Sequence, residues 1–292
     1  MRIGFFGLGN MGGPMAANLA KAGHAVSGYD PVGATADGVA TAATARAAAE
    51  GQDVVITMLP NGRILRDVYD EIVGYGSKDA LYIDCSTVDV ESAVYAHGKA
   101  RDAGLASLDA PVSGGVAGAA GGTLTFMVGG EDAAFERGAL LFEIMGQKAV
   151  HCGGAGTGQS AKICNNMILG ISMIGVCEAF ALADRLGLDR QKMFDVVSTS
   201  SGSCWSLNNY CPAPGVGPKS PADNDYKPGF AAELMLKDLM LSQTAAEAAD
   251  AATPLGAAAA AFYQAFVDHG GRGKDFSAVL PRLTEMKRGD LP

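Results

Sequence analysis

RIGFFGLGNMGGPMAANLAKAG, residues 2–23, is the stretch on which the fold turns. An apolar run of strand length ends directly in G-L-G-N-M-G, Gly7 to Gly12, and a helical pattern follows without a linker. In a strand–turn–helix unit of this kind Gly7 permits the tight turn, Gly9 lets the backbone approach a pyrophosphate and Gly12 lets helix and strand pack closely. The helix N-terminus then offers N–H groups to the phosphates, and Leu8, Asn10 and Met11 count with the three glycines as cofactor-binding residues. A second apolar run, HAVSGYD, ends at Asp30, eighteen residues after Gly12, where a carboxylate can accept hydrogen bonds from an adenosine ribose. Asp30 also repels a 2′-phosphate, and PVGATADG after it carries no arginine to receive one, so the expected cofactor is NAD rather than NADP. Asp before Pro is equally ordinary turn chemistry, and both roles can hold together.

Outward from this unit, strand-length runs (DVVITMLP, ALYIDCS, LASLDAPV, TLTFMVGG, KAVHCGG) alternate with helix-length stretches up to about residue 157. Apolar strands separated by helices mark a parallel sheet covered on both faces. The Ala-rich stretch 34–49 reads as one of the covering helices. Beyond residue 157 only helices are expected, over 157–187, 189–199, 230–251, 253–269 and about 277–287. The Ser/Asn/Pro/Gly-rich segment 200–229 is a long loop, whose Trp205 and Tyr210 favour an ordered one. The expectation is an α/β chain: a doubly wound parallel sheet of Rossmann type over 1–157, then an all-α domain over 158–292 begun by a long interdomain helix.

Composition narrows the partners. A chain of 292 residues that is 48% apolar can bury sizeable cores. A formal charge of −9 without a Lys/Arg-rich run argues against nucleic acid or an anionic membrane and for a small soluble ligand. Six scattered cysteines without C-x-x-C spacing, and an amino-terminus without a basic segment and cleavable apolar run, read as reduced thiols of a cytoplasmic protein. The four isolated histidines offer no zinc spacing, so no metal is expected. The apolar run around Met167 to Cys177 reads as too short to span a membrane.

Three further groups of residues carry chemistry. Leu59 and Pro60, and then Ser86 and Thr87, end successive strands at the carboxyl edge of the sheet, where ligands bind in such folds; Ser86 and Thr87 serve equally well as caps for the helix beginning near Asp89. PVSGGVAGAAGG, residues 111–122, reads as a glycine-rich loop whose backbone N–H groups, with the Ser113 hydroxyl, cradle a carboxylate. In GTGQSAKICNN, residues 156–166, Gly158, Lys162 and Asn166 share one helix face. Gly158 leaves room for a ligand. A lysine near a helix N-terminus, set among apolar residues, opposes the helix dipole. Partial desolvation suits such an amine to accept the proton that an alcohol loses on oxidation, with Asn166 holding lysine or substrate in register.

The chain resembles the 3-hydroxyisobutyrate dehydrogenase branch of the β-hydroxyacid dehydrogenase family over nearly its whole length. The matching blocks run from GFFGLGNMGGPMAANL through DAPVSGGVAGAAGGTLTFMVGG, GTGQSAKICNNMILGISMIG, SSGSCWSLNNYCPAPGV and AAELMLKDLMLSQ to KDFSAV. The CW-containing loop and PADNDYKPGF point to the hydroxyisobutyrate branch. The resemblance implies Lys162 as the catalytic lysine, Ser113, Gly114 and Gly115 on the substrate carboxylate, and Asn166 positioning the substrate. It further implies Lys237 and Asp238 on the substrate from the helical domain, and Lys274 on the cofactor. From the residues alone, Lys237 and Asp238 are equally an exposed charge pair on an amphipathic helix. The implied reaction is NAD-dependent oxidation of (S)-3-hydroxyisobutyrate to methylmalonate semialdehyde in a homodimer or homotetramer. Its rivals are 3-hydroxypropionate, D-glycerate (tartronate semialdehyde reduction) or L-serine as substrate, and a dinucleotide-binding sensor without turnover. One departure stands out: relatives often carry a polar residue at the place of Ile64, whereas here the polar residue is Asn61.

Overall fold

A computed structural model describes residues 1–287. The chain divides into two compact units, residues 1–162 and from Ile163 onward.

In the first unit β1 (Arg2–Phe6) leads through the glycine turn into α1 (Gly12–Lys21) and returns as β2 (Ala25–Tyr29). There follow β3 (Ala40–Thr41), α2 (Ala45–Ala49), β4 (Val54–Thr57), α3 (Gly62–Ile72), β5 (Leu81–Asp84), α4 (Val90–Asp102) and β6 (Ala106–Asp109). Next come β7 (Val112–Ser113), α5 (Gly115–Gly121), β8 (Leu124–Gly130), α6 (Asp132–Met145) and β9 (Gly146–Gly153). The sheet order is β3-β2-β1-β4-β5-β6-β8-β7, with β9 beside β8. From β3 to β6 every pairing is parallel, and the order reverses at β1, which lies between β2 and β4. Beyond β6 the sheet is mixed, because β8 runs antiparallel to β6 and β7 and parallel to β9.

Side chains of the central strands alternate between two buried faces, as a sheet covered on both sides requires. Ile3, Phe5, Val54, Ile56, Leu81 and Ile83 pack with Met15 and Leu19 of α1 and with Leu141 and Phe142 of α6. Phe6, Val55 and Tyr82 point the other way, against Leu65, Tyr69 and Ile72 of α3 and Ala93 and Ala96 of α4.

The Ala-rich stretch departs from expectation: only Ala45–Ala49 is helical. Gly33 and Gly38 adopt φ of +78° and +73°, which no helix accommodates, and the Thr44 hydroxyl accepts from Ala47 N to start the helix late. High alanine propensity gives way to these local stops. The 111–122 segment also differs, for it is not a loop throughout. Gly114, at φ +136°, turns the chain from β7 into the short helix α5.

The second unit is helical: α7 (Thr157–Leu186), which begins in the first unit, then α8 (Arg190–Val197), α9 (Trp205–Asn208), α10 (Ala232–Ala248), α11 (Pro254–Phe266) and α12 (Val279–Glu285). Its core brings Met173, Cys177 and Phe180 of α7 against Met235 and Leu239 of α10, Tyr263 of α11 and Phe276. α7 runs unbroken for 30 residues, and by length and composition alone it is long and apolar enough to cross a membrane, so the shorter run read from the sequence is an underestimate. The expected helix over 253–269 ends as a regular helix at Phe266, since His269 and Gly270 leave helical geometry. The 200–229 segment is ordered around Asp275, whose Oδ2 accepts from Tyr210 Oη at 2.8 Å, Gly229 N at 2.9 Å and Phe230 N at 3.0 Å. Trp205 stacks on Tyr210 with ring centroids 5.2 Å apart.

Candidate functional site

The glycine turn separates into two structural positions and one open one. Gly7 takes φ +89°, and a Cβ there would strike the carbonyl oxygen of Met58. A Cβ on Gly12 would strike the carbonyl oxygen of Gly7, so this glycine lets α1 close on the turn. Around Gly9 nothing lies within 4 Å of an added Cβ: this is the place where a phosphate can reach the backbone. Gly9 and Asn10 are exposed, Met11 is half-buried, and Leu8 is buried with its N–H donating to Asp30 Oδ2 at 2.8 Å. Asp30 Oδ1 accepts from Val32 N at 3.0 Å, the turn chemistry expected of Asp-Pro. A carboxylate has lone pairs beyond these two bonds, so Asp30 holds the turn and can still accept from a ribose hydroxyl. Open space at Gly9 beside an anchored carboxylate fits a dinucleotide.

At the carboxyl edge of the sheet Thr57, Asp84 and Asp109 are successive partners in register across β4, β5 and β6. Thr57 Oγ1 donates to Asp84 Oδ1 at 2.7 Å, and so does Ser86 Oγ at 2.6 Å. Ser86 Oγ in turn accepts from Leu59 N at 2.8 Å. Asp84 Oδ2 is buried with no hydrogen-bond partner, and burial pushes the carboxyl up to about 6 against the pull of those donors, with the nearby Asp109 adding to the rise. Neither Ser86 nor Thr87 caps α4; Asp89 does, its Oδ1 accepting from Ser92 N. Pro60 is exposed and Thr87 half-buried. Asn61 Oδ1 accepts from Ile64 N at 3.0 Å and caps α3, so the polar residue that replaces the one expected at Ile64 is occupied in the backbone.

Asp109 receives the start of α7. Its Oδ1 accepts from Gly156 N at 2.8 Å and lies 2.9 Å from His97 Nε2, while Oδ2 accepts from Gln159 N at 2.9 Å. Gln159, wholly buried, accepts from Val88 N at 3.1 Å and donates to Ser86 O at 2.7 Å. Lys162, three residues on, is 7% exposed. Gly158 does not leave room for a ligand: a Cβ there would meet the carbonyl oxygens of Asp109 and Met127, so this glycine seats α7 on the ends of β6 and β8. Ser113 is half-buried at the end of β7, with Gly114 exposed and Gly115 half-buried where α5 begins.

In the second unit Asn166 is 1% exposed and its Nδ2 donates to Asp238 Oδ2 at 2.5 Å; Asp238 is 3% exposed and its Oδ1 lies 3.6 Å from Lys237 Nζ. Asp238 is therefore buried, which removes the reading of Lys237 and Asp238 as a plain exposed pair. Lys274 is exposed in the turn before Asp275.

Sequence reasoning overlooked Asp84, Asp109 and Gln159. The signal available was a pair of aspartates ending adjacent apolar runs, in YID and SLD, where an acidic residue inside an apolar context needs partners.

Comparison with known proteins decides the family. The family described as the NAD binding domain of 6-phosphogluconate dehydrogenase matches residues 2–154, and the one described as NAD-binding of NADP-dependent 3-hydroxyisobutyrate dehydrogenase matches 156–283. A protein of Mycobacterium tuberculosis named probable 3-hydroxyisobutyrate dehydrogenase is 49% identical over 287 residues, 96% of this chain and 97% of its own. The chain belongs to the 3-hydroxyisobutyrate dehydrogenase family. As a member it is an NAD-dependent oxidoreductase acting on the CH–OH group of a β-hydroxyacid. The NAD-dependent L-serine dehydrogenase of Pseudomonas aeruginosa is 46% identical over 99% of both chains. The solved Mycobacterium tuberculosis 3-hydroxyisobutyrate dehydrogenase with L-serine superposes with a TM-score of 0.92 at 48% identity, over 97% of this chain and 98% of that one.

Proposed function

We propose that this dehydrogenase oxidises (S)-3-hydroxyisobutyrate to methylmalonate semialdehyde, the step that valine breakdown requires, with Lys162 as general base. NAD, when bound, supplies the hydride acceptor. Gly7 to Gly12, Asp30, Leu59, Pro60, Thr87 and Lys274 are the cofactor-side residues, and Asp30 favours NAD over NADP. Lys162 accepts the hydroxyl proton as the carbinol C–H bond breaks. Ser113, Gly114 and Gly115 bind the carboxylate through hydroxyl and backbone N–H. Asn166, one turn beyond Lys162 in α7, orients the substrate, with Lys237 and Asp238 on the substrate side.

One observation carries this reading: a lysine 7% exposed, in a turn of helix whose preceding residue Gln159 is bonded to Asp109 at the end of β6 and to Ser86 just after β5, at the carboxyl edge of the sheet. A buried amine at the carboxyl edge of such a sheet is a functional-site candidate, and general base catalysis is the role proposed for it.

A second substrate, L-serine, has specific support in the Pseudomonas aeruginosa relative. It replaces the methyl of hydroxyisobutyrate by an ammonium. Initial-rate NAD and NADP reduction with (S)-3-hydroxyisobutyrate, L-serine, 3-hydroxypropionate and D-glycerate tests the assignment. The highest kcat/KM with hydroxyisobutyrate and NAD is expected; a higher value for L-serine would reassign the substrate, and NAD binding without turnover would leave a sensor. A homodimer or homotetramer is supported by exposed apolar residues of α7, Ile168, Leu182 and Leu186, and a cytoplasmic location by six free cysteines.

A further inference from the structure

We propose that Gln159 is a positioning residue for this reaction, setting where Lys162 stands relative to the cofactor-side edge of the sheet; the inference rests on the lysine mechanism above. Gln159 is wholly buried, and its amide is used at both ends at once: Oε1 accepts from Val88 N and Nε2 donates to Ser86 O. These bonds join residues more than seventy positions apart and tie the first turns of α7 to the segment that follows β5. Lys162 follows Gln159 by three residues, so the two side chains leave the same face of α7. The segment gripped by Gln159 is also joined to Leu59, because the Ser86 hydroxyl accepts from Leu59 N. A single amide therefore links the loop after β4, on the cofactor side, to the helical turn bearing the base.

Both demands are met only by a group that donates and accepts at once, as the amide does at every pH and a carboxyl does only when protonated. A carboxylate accepts from Val88 N but faces the Ser86 carbonyl with no proton to give, and an aliphatic chain of the same length satisfies neither partner. Displacement of a catalytic group by about 1 Å costs on the order of 100-fold in rate. The helix itself stays attached without Gln159, since Asp109 still receives Gly156 N and Gln159 N, both backbone donors.

The test compares the parent, Gln159→Met, Gln159→Glu and Lys162→Ala by kcat, KM for NAD, the pH profile of kcat/KM and melting temperature. Gln159→Met is expected to lower kcat by about 10- to 100-fold and displace the acid limb of the pH profile, with KM for NAD within about twofold. Parent-like kcat and pH profile in a folded Gln159→Met overturn the inference. If Gln159→Met does not fold, Gln159→Glu decides. The carboxyl that this substitution introduces is isosteric with the amide when protonated, so its kcat relative to the parent should rise as pH falls; a ratio independent of pH overturns the inference. Lys162→Ala keeps the two claims apart. Parent turnover in that variant defeats the lysine mechanism itself, whereas its loss beside a parent-like Gln159→Met defeats only the positioning role.

Discussion

Asn166 donates its side-chain amide to the Asp238 carboxylate across 2.5 Å, and both groups are nearly sealed from water. Asn166 Oδ1 accepts from Asn165 Nδ2 at 2.9 Å, so the amide is held from both ends, its N–H₂ toward the acid. Removing one partner of a buried charge-assisted bond leaves the other unsatisfied, at a cost of about 1–3 kcal/mol. Asp238→Ala is therefore expected to lower kcat/KM for the hydroxyacid about 10- to 100-fold, and Asp238→Asn by less. Steady-state kinetics with saturating NAD checks this, and equal values in all three proteins would remove Asp238 from the substrate side.

The glycines of the turn should part company on mutation. Gly12→Ala places a Cβ against the Gly7 carbonyl and is expected to destabilise the fold by about 1–3 kcal/mol or more, as overpacking does. Gly9→Ala meets nothing within 4 Å in the protein and should melt with the parent, yet weaken NAD by tenfold or more because its methyl group occupies the approach to the backbone. Melting curves beside NAD titrations separate the two effects.

Asp30 holds the turn through Leu8 N and Val32 N, and in the proposed reading it also sets cofactor choice. Asp30→Ala leaves Leu8 N without its acceptor and removes the charge that repels a 2′-phosphate. The expected outcome is a raised KM for NAD and an NADP-to-NAD ratio of kcat/KM at least tenfold higher than the parent's. An unchanged ratio would show that discrimination lies elsewhere.

Asp84 makes stability depend on pH in a direction opposite to an ion-paired carboxylate. Its folded value of about 6 stands above the unfolded value near 3.9, so the folded state binds more protons between them. Stability is then lost as pH rises through that window, by about 3 kcal/mol in total. Asp84→Asn removes this component. Denaturant unfolding at pH 4.5 and 7.5 should show the variant gaining on the parent at the higher pH, and a pH-independent difference would contradict the buried, half-satisfied state of Asp84.

Much of this architecture is legible in the chain because apolar periodicity and glycine spacing report directly on burial and backbone geometry. β1, the Gly7–Gly12 turn and α1 are examples, and so is the interdomain helix opened by GTGQSAK. What stayed hidden depends either on backbone turns that composition does not report or on partners distant in sequence. The Ala-rich stretch has helical composition, but Gly33 and Gly38 at positive φ confine the helix to Ala45–Ala49. The glycines of α5 look like a linker until Gly114 is seen to turn the chain into a helix. Gly158 reads as space for a ligand, yet the space is taken by the carbonyls of Asp109 and Met127. Asp109 and Gln159 lie inside blocks that carry the resemblance, but the bonds that join them, and those from Gln159 to Val88 and Ser86, span about fifty residues or more and cannot be read from local sequence.

The most direct test of the central claim is the NAD-reduction rate of Lys162→Ala beside the parent, with (S)-3-hydroxyisobutyrate as substrate and NAD binding confirmed for both. Loss of a general base costs about 100- to 10,000-fold, and a fall in kcat of that size with NAD affinity retained is the predicted result. Turnover at the parent's rate would contradict the account and return Lys162 to a structural role.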